Sequence, residues 1–292
     1  MKTVDFHQHL WPESFVELLA GRDRPPRLRG SVLELAGERD SEIDLRAHDL
    51  DARLALLDRW ELDVAVVSLQ PTLGLAALPE DEAAELVAVY ERGILELAAG
   101  SQGRLLPLAA GVDLDGFVGA CIGAPELADL DLLAPRLDEL VRRRAVLFVH
   151  PGPAAGEPAG APPWWVAVVD YTAQMQAGYA AWLAGGASRW PSLNVVFAML
   201  AGGAPFQLER LRSRGVSGRD VLHDTMFFEI SSYGNRALEL CLATFGVSQL
   251  VFGTDVPVLD PEPAMDAVRG FGDAVTDALC NQNPARLLAS RD

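Results

Sequence analysis

Apolar and polar positions alternate in blocks along the whole chain. Eight short runs are almost continuously apolar: Val4–Phe6, Val64–Leu69, Leu105–Gly111, Val118–Gly123, Ala145–Val149, Asn194–Ala198, Met226–Ile230 and Leu250–Gly253. Runs of this length without polar alternation read as strands buried on both faces, as in a parallel sheet. Between them lie segments with apolar residues at helical spacing: Leu50–Glu61, Asp81–Ala99, Asp131–Arg144, Trp164–Ala184, Pro205–Arg214, Ala237–Phe245, Pro263–Gly270 and Ala274–Leu288. The last is expected to break near Asn283-Pro284.

Eight strand-then-helix units predict an α/β fold, a single (β/α)8 TIM barrel. An open doubly wound sheet is the runner-up. It would carry a Gly-rich turn after its first strand, where this chain has His7-Gln8-His9-Leu10-Trp11-Pro12. Two connections are long. Leu10–His48 follows strand one, and within it Ser31–Asp44 reads as a β-hairpin turning at Ala36-Gly37. A cap insertion is therefore expected over about 21–47. The second, 151–163, is rich in Pro, Gly and Ala and is read as a lid loop. Both follow strand C-termini, the face on which barrels of this kind build active sites. No linker divides the chain, so 1–292 reads as one domain.

Composition narrows the class. Hydrophobic residues make up 50%, enough for a large core, and the net charge is −17. The acidic balance argues against nucleic acid or an anionic membrane as partner. No apolar run is long enough to span a bilayer, and no secretory leader pattern is seen. The three cysteines, Cys121, Cys241 and Cys280, are widely spaced and fit buried reduced thiols, which points to a cytoplasmic protein. Lys2 is the only lysine.

The chemistry sits at the strand ends. His7 and His9 close strand one, and side chains two apart on a strand share a face. His150 closes strand five, and Asp255 follows strand eight. Three imidazoles and one carboxylate at one barrel mouth suit a divalent ion, Zn²⁺ first, with Mn²⁺ or Fe²⁺ as alternatives. Trp11, Gln70 and Trp164 are candidate substrate contacts, with Ser231, Ser232 and Tyr233 at the end of strand seven. Arg22, Arg24, Arg27 and Arg29 form a cationic cluster in the cap that can attract a carboxylate. His48 reads as a helix-start or surface residue, and His223 lies before strand seven, at the wrong end.

The motifs His7-x-His9, Val149-His150-Pro151-Gly152 and Phe252-Gly-Thr-Asp-Val-Pro257 resemble those of the amidohydrolase superfamily. The resemblance is to its amidohydrolase 2 group, related to aminocarboxymuconate semialdehyde decarboxylase. It extends to Leu50–Asp58 and to Asn283–Leu288. It implies one catalytic metal on His7, His9, His150 and Asp255, a small-molecule substrate and a possible homodimer. One departure stands out. The family places a histidine after strand six, in a His-Leu-Gly-Gly-like context, where this chain has Met199 or Leu200. The expected activity is hydrolysis of a C–N or C–O bond in a small carboxylated or cyclic molecule, with a metal-bound water attacking and Asp255 as base. The alternatives are non-oxidative decarboxylation of an aromatic or muconate-type acid, with Asp255 as proton donor, and a catalytically impaired barrel that only binds metal or ligand.

Overall fold

A computed structural model describes residues 2–217 and 221–288. The outermost residues of the expected 1–292 domain, with 218–220, lie outside the described set. Eight parallel strands follow one another around the sheet in chain order. They are β1 (Val4–His9), β2 (Val64–Ser68), β3 (Leu105–Ala109), β4 (Gly119–Gly123), β5 (Val146–His150), β6 (Val195–Phe197), β7 (Met226–Glu229) and β8 (Leu250–Val251). The ring closes between the last segment and the first. Phe6 N donates to Phe252 O at 2.9 Å, Asp255 N to His7 O at 2.8 Å and His9 N to Val256 O at 2.7 Å. The fold is the (β/α)8 barrel that the apolar blocks predict.

Every strand residue except Leu106 is buried, which explains why the strands read as unbroken apolar runs. Phe6, Phe148, Phe197 and Phe228 are fully buried. Phe148 stands two residues before His150 on β5, so both project to the same side. Its ring meets the His7 ring edge-on at 4.9 Å. An apolar floor, worth about 1.5–3 kcal/mol for a buried Phe, thus supports the histidines from below.

The helices start where polar caps allow. Asp49 accepts from Ala52 N at 3.0 Å to begin the helix Leu50–Arg59, and Asp129 accepts from Leu132 N at 3.0 Å to begin Leu130–Arg143. Each cap satisfies an amide the helix leaves free, about 1 kcal/mol apiece.

Three features differ from the sequence reading. The segment after β1 contains a helix, Glu13–Gly21, which its opening Pro12 and closing Gly21 signal. The cap hairpin is a three-stranded sheet: Arg27–Arg29, Val32–Glu34 and Ser41–Glu42, with Leu28 opposite Leu33 and Leu33 opposite Ser41. Its extra strand turns back at Gly30, whose φ is +64°. The expected helix 164–184 is divided by wider π-type turns at Val166–Asp170 and Trp182–Gly186, either side of Tyr171–Ala181. The lid segment 151–163 carries no regular element. It is tied to the cap by Arg39, which pairs with Glu157 and donates to Ala161 O.

Candidate metal centre

The four expected ligands meet. One ligand atom each from His7, His9, His150 and Asp255 lie within 4.8 Å of one another. His7 Nε2 is 3.2 Å from His9 Nε2, and Asp255 Oδ1 is 3.4 Å from His7 Nε2 and 3.1 Å from His9 Nε2. The three rings stand almost perpendicular to one another, with centroids 5.0–5.1 Å apart.

Acceptors behind the rings fix their direction. His7 Nδ1 donates to Glu229 Oε2 at 2.9 Å and lies 3.2 Å from Ser231 Oγ. His9 Nδ1 donates to Ser68 O at 3.1 Å, and His150 Nδ1 to Pro151 O at 2.9 Å. With each Nδ1 proton engaged, each Nε2 is directed at the common centre, a ligand atom once any proton it holds has left. Asp255 Oδ1 is buried there with no hydrogen-bond partner. Lone pairs and an orphaned carboxylate oxygen converging on one point are what a cation would satisfy. The residues fit a divalent ion.

Electrostatics within the cluster follow from burial and neighbours. Burial pushes the His7 pKa down, but the Glu229 and Asp255 carboxylates outweigh it and hold His7 at about 9. Burial dominates at His9 and His150, whose pKa values fall, His150 the further. For Asp255 burial acts upward, and the surrounding imidazoles together bring its carboxyl below the usual range. Asp255 also holds a left-handed backbone, φ 62°, a strain of about 1–2 kcal/mol for a non-glycine residue, set where its side chain must turn into the mouth.

A cavity of about 500 Å³ opens above the cluster. Trp11 and Gln70 line it and bond to each other, Trp11 Nε1 to Gln70 Oε1 at 2.7 Å. Trp164 does not: it is 55% exposed and stacks on Trp165, while Pro163, Val166 and Ala167 face the cavity instead. His48, read from sequence as a surface or helix-start residue, is buried against the cavity. It stacks on Trp11 at 4.7 Å and accepts from Trp11 N at 3.1 Å. Burial lowers its pKa to about 3, so it is neutral, and with Nδ1 accepting from Trp11 N its proton sits on Nε2.

The cap arginines do not reach this space. Arg22 and Arg24 pair with Glu82, and Arg27 and Arg29 with Glu34. Ser231 is buried behind His7, donating to Glu229 Oε2 at 2.9 Å. Among the described residues no Arg or Lys lines the cavity, whereas Glu38, Glu42 and Asp44 do.

Two functional groups escape local sequence reading. Glu229 ends β7 fully buried and collects His7 Nδ1, Ser231 Oγ and the Ser231 and Met199 amides. Its sequence signal is a lone acid inside the apolar run Met226–Ile230. Gly253 is shaped to it: a Cβ there would stand 2.3 Å from Glu229 Oε1. Arg53 is fully buried and donates to Gln8 Oε1, His9 O and Ala47 O, each at 2.9 Å, bracing the strand that carries His7 and His9.

After β6 the backbone is left-handed for five residues. Met199, Leu200, Ala201, Gly202 and Gly203 have φ of 52°, 51°, 52°, 65° and 98°. Met199, one of the two residues (with Leu200) at the place where the resembled family carries histidine, lines the cavity. A Cβ at Gly202 would lie 2.4 Å from Thr172 O, and Gln176 Nε2 donates to Gly202 O at 2.7 Å.

The Amidohydrolase family profile matches residues 4–289. The chain belongs to that family. Among curated proteins it is 22% identical to the 2-amino-3-carboxymuconate-6-semialdehyde decarboxylase of Dictyostelium discoideum, over 98% of this chain and 91% of the relative. Among solved structures, IDCase from Metarhizium anisopliae superposes with a TM-score of 0.82 at 20% identity, covering 100% of this chain and 98% of that one. A dihydroxybenzoic acid decarboxylase from a Polaromonas species, with bound manganese and the inhibitor 2-nitroresorcinol, superposes at 0.72 and 16% identity, covering 99% and 97%. These findings correct the expectation of C–N or C–O hydrolysis: the curated relative spanning the chain is a decarboxylase, as is the Polaromonas enzyme of the same fold. The correction comes from the relatives: the cluster and its cavity-facing Asp255 carry a proton-transfer group that either reaction could use. No helix among the described residues is long and apolar enough to cross a membrane.

Proposed function

We propose that this protein is a metal-dependent, non-oxidative decarboxylase of a small aromatic or conjugated carboxylic acid. The observation that carries the reading is Asp255. It combines a place in the four-ligand cluster with a face on the substrate cavity and an oxygen that no protein group satisfies. Exchange of CO2 for a proton needs one proton carrier beside the reacting carbon, and Asp255 is placed to be that carrier. The decarboxylase relatives support the reaction class.

A divalent ion held by His7, His9, His150 and Asp255 would supply the positive charge that fixes the substrate carboxylate and an adjacent oxygen. The protein's own side chains do the rest. Asp255 in its acid form gives its proton to the carbon bearing the carboxylate. The C–C bond then breaks, its electron pair returns to the conjugated system and CO2 leaves. The imidazoles favour the ionised form of Asp255, so its protonated form is a strong acid, as protonation of carbon requires. Trp11, braced by His48 and Gln70, gives a flat wall for a planar substrate. His48 Nε2–H is a neutral donor for a substrate oxygen.

The N3O donor set suits zinc, and the manganese of the Polaromonas enzyme supports that ion as the alternative. Three buried thiols support a cytoplasmic setting. The test is CO2 release from dihydroxybenzoic and muconate-type acids by metal-loaded protein, run in D2O. Deuterium at the former carboxyl-bearing carbon, lost with Asp255→Asn, is expected. Fully loaded protein that releases no CO2 across the panel, or an Asp255→Asn variant with undiminished turnover, overturns the reading.

A further inference from the structure

A second cavity lies beside the metal cluster and no step above uses it. Its volume is about 440 Å³, within the range of small-molecule sites. It sits at the mouth ends of β2 to β5, bounded by the helices Glu80–Gly100 and Leu130–Arg143. Its walls are mostly apolar, with Leu75, Ala83 and Val87 on one side.

One cation, Arg136, lines it. The guanidinium is anchored by Nη2, which donates to Ala109 O and Ala110 O at 3.1 Å and to Cys121 O at 3.4 Å. Its Nε is shielded from solvent and has no partner. The neighbouring carboxylates, Glu91 and Glu126, favour the charged guanidinium through space but take their hydrogen bonds from backbone amides. Glu91 accepts from Ala110 N at 3.0 Å and Gly111 N at 2.8 Å. Glu126, also in the cavity wall, accepts from Gly123 N at 2.7 Å. Among the described residues Arg136 forms no ion pair, although Arg stays charged at any working pH. Glu91 and Glu126 offset part of the cost of burying this cation, and its Nε–H is left as a donor without an acceptor, a cost a ligand's carboxylate would relieve.

We propose that this cavity is a second binding site, for a small organic carboxylate with an apolar body. The carboxylate meets Arg136 through a guanidinium N–H that the backbone carbonyls leave unused, and the hydrocarbon packs on Leu75, Ala83 and Val87. The site is separate from the metal cluster yet joined to it. Gln70 lines both cavities, and Gly152-Pro153 in its wall continue directly from His150-Pro151.

Octanoate is the probe, titrated calorimetrically into metal-loaded protein. Expected results are saturable binding, n-octanol at least about tenfold weaker, and Arg136→Met at least about tenfold weaker than the parent, the loss of one charge-assisted contact. Asp255→Asn should bind octanoate as the parent does, since the proposed site lies away from the metal. Because Arg136 also holds three carbonyls, Ala83→Trp, which fills the cavity from the helix side, provides the independent arm and should abolish binding. The proposal is overturned by absence of octanoate binding to the parent, by undiminished binding in Ala83→Trp or in folded Arg136→Met, or by loss of binding in Asp255→Asn. None of these readings depends on CO2 release, so the second site and the decarboxylase assignment stand or fall separately.

Discussion

Replacing Glu229 with glutamine tests whether the metal centre is set from behind. Both carboxylate oxygens accept. Oε2 takes His7 Nδ1 at 2.9 Å, Ser231 Oγ at 2.9 Å and Met199 N at 3.3 Å, and Oε1 takes Ser231 N. Glutamine has the same shape but must turn its NH2 towards one of these sets of donors. A hydrogen bond to a charged group is worth about 1.5–3 kcal/mol. Supporting partners of metal-bound histidines typically contribute 10–100-fold in affinity, about 1.4–2.8 kcal/mol. The two estimates agree, so Glu229→Gln should weaken divalent metal binding by about 10–100-fold. The His7 pKa should also fall from about 9, because its strongest charged neighbour becomes neutral. Competition against a chromophoric chelator gives the affinity, and NMR titration of the metal-free protein gives the pKa. A metal affinity within twofold of the parent, with His7 titrating unchanged, would refute the claim that Glu229 orients His7.

Gly253→Ala should act on the same bond without touching a polar group: the new Cβ would stand 2.3 Å from Glu229 Oε1, so the carboxylate must shift and metal affinity should drop by at least about tenfold; equilibrium dialysis reads it. Arg53→Met removes the partner of Gln8 Oε1, His9 O and Ala47 O, at about 1–2 kcal/mol per stranded acceptor. A loss of about 3–5 kcal/mol in urea unfolding is expected, with a retained midpoint counting against a structural role for this buried guanidinium. Metal binding should also depend on pH. With His7 at about 9, its proton must leave as the ion enters, so apparent affinity should fall about tenfold per unit below that pH through His7 alone. Raised above its unfolded value of 6.5, the same pKa stabilises the metal-free fold below pH 6.5 and ceases to do so as pH rises through 9. Calorimetry in buffers of different ionisation enthalpy counts the released proton, and no release at pH 7 would contradict the assignment.

Much of the architecture is visible in the chain because strands buried on both faces leave little room for polar residues. The ligands share that visibility: His7, His9 and His150 interrupt apolar runs at one end only, and Asp255 follows the last run. What lies behind them is hidden for a physical reason. Glu229 serves a histidine 222 residues away, and no local periodicity encodes such a partnership. Arg53 sits in a helix whose pattern would place an arginine outside; backbone carbonyls left open at the end of β1 draw it inward. His48 reads as a surface residue because its partner, the Trp11 ring, comes from the far side of the cap. Met199, Leu200 and Ala201 are poor candidates for left-handed backbone on intrinsic preference, and only the packing of Gly202 on Thr172 shows why they adopt it. The substrate contacts are the least legible part: Trp164 and Trp165 look like pocket aromatics in sequence, yet neither lines the cavity, which Pro163, Val166 and Ala167 border instead.

The left-handed run after β6 bears on how this barrel can change over evolutionary time. Its shape is held by Gly202 against Thr172, by the Gln176 bond to the Gly202 carbonyl, and by the Met199 backbone, whose amide donates to Glu229 and whose carbonyl accepts from Gly202 N at 2.9 Å. These bonds come from the backbone at 199, and its side chain, packed at the edge of the core, faces the cavity without taking part in them. A histidine, which tolerates positive φ better than methionine, can be exchanged there in one substitution without rebuilding the loop or disturbing the four ligands. The backbone behaves as a fixed socket, and the chemistry of one wall of the pocket can be swapped while the metal centre is inherited intact.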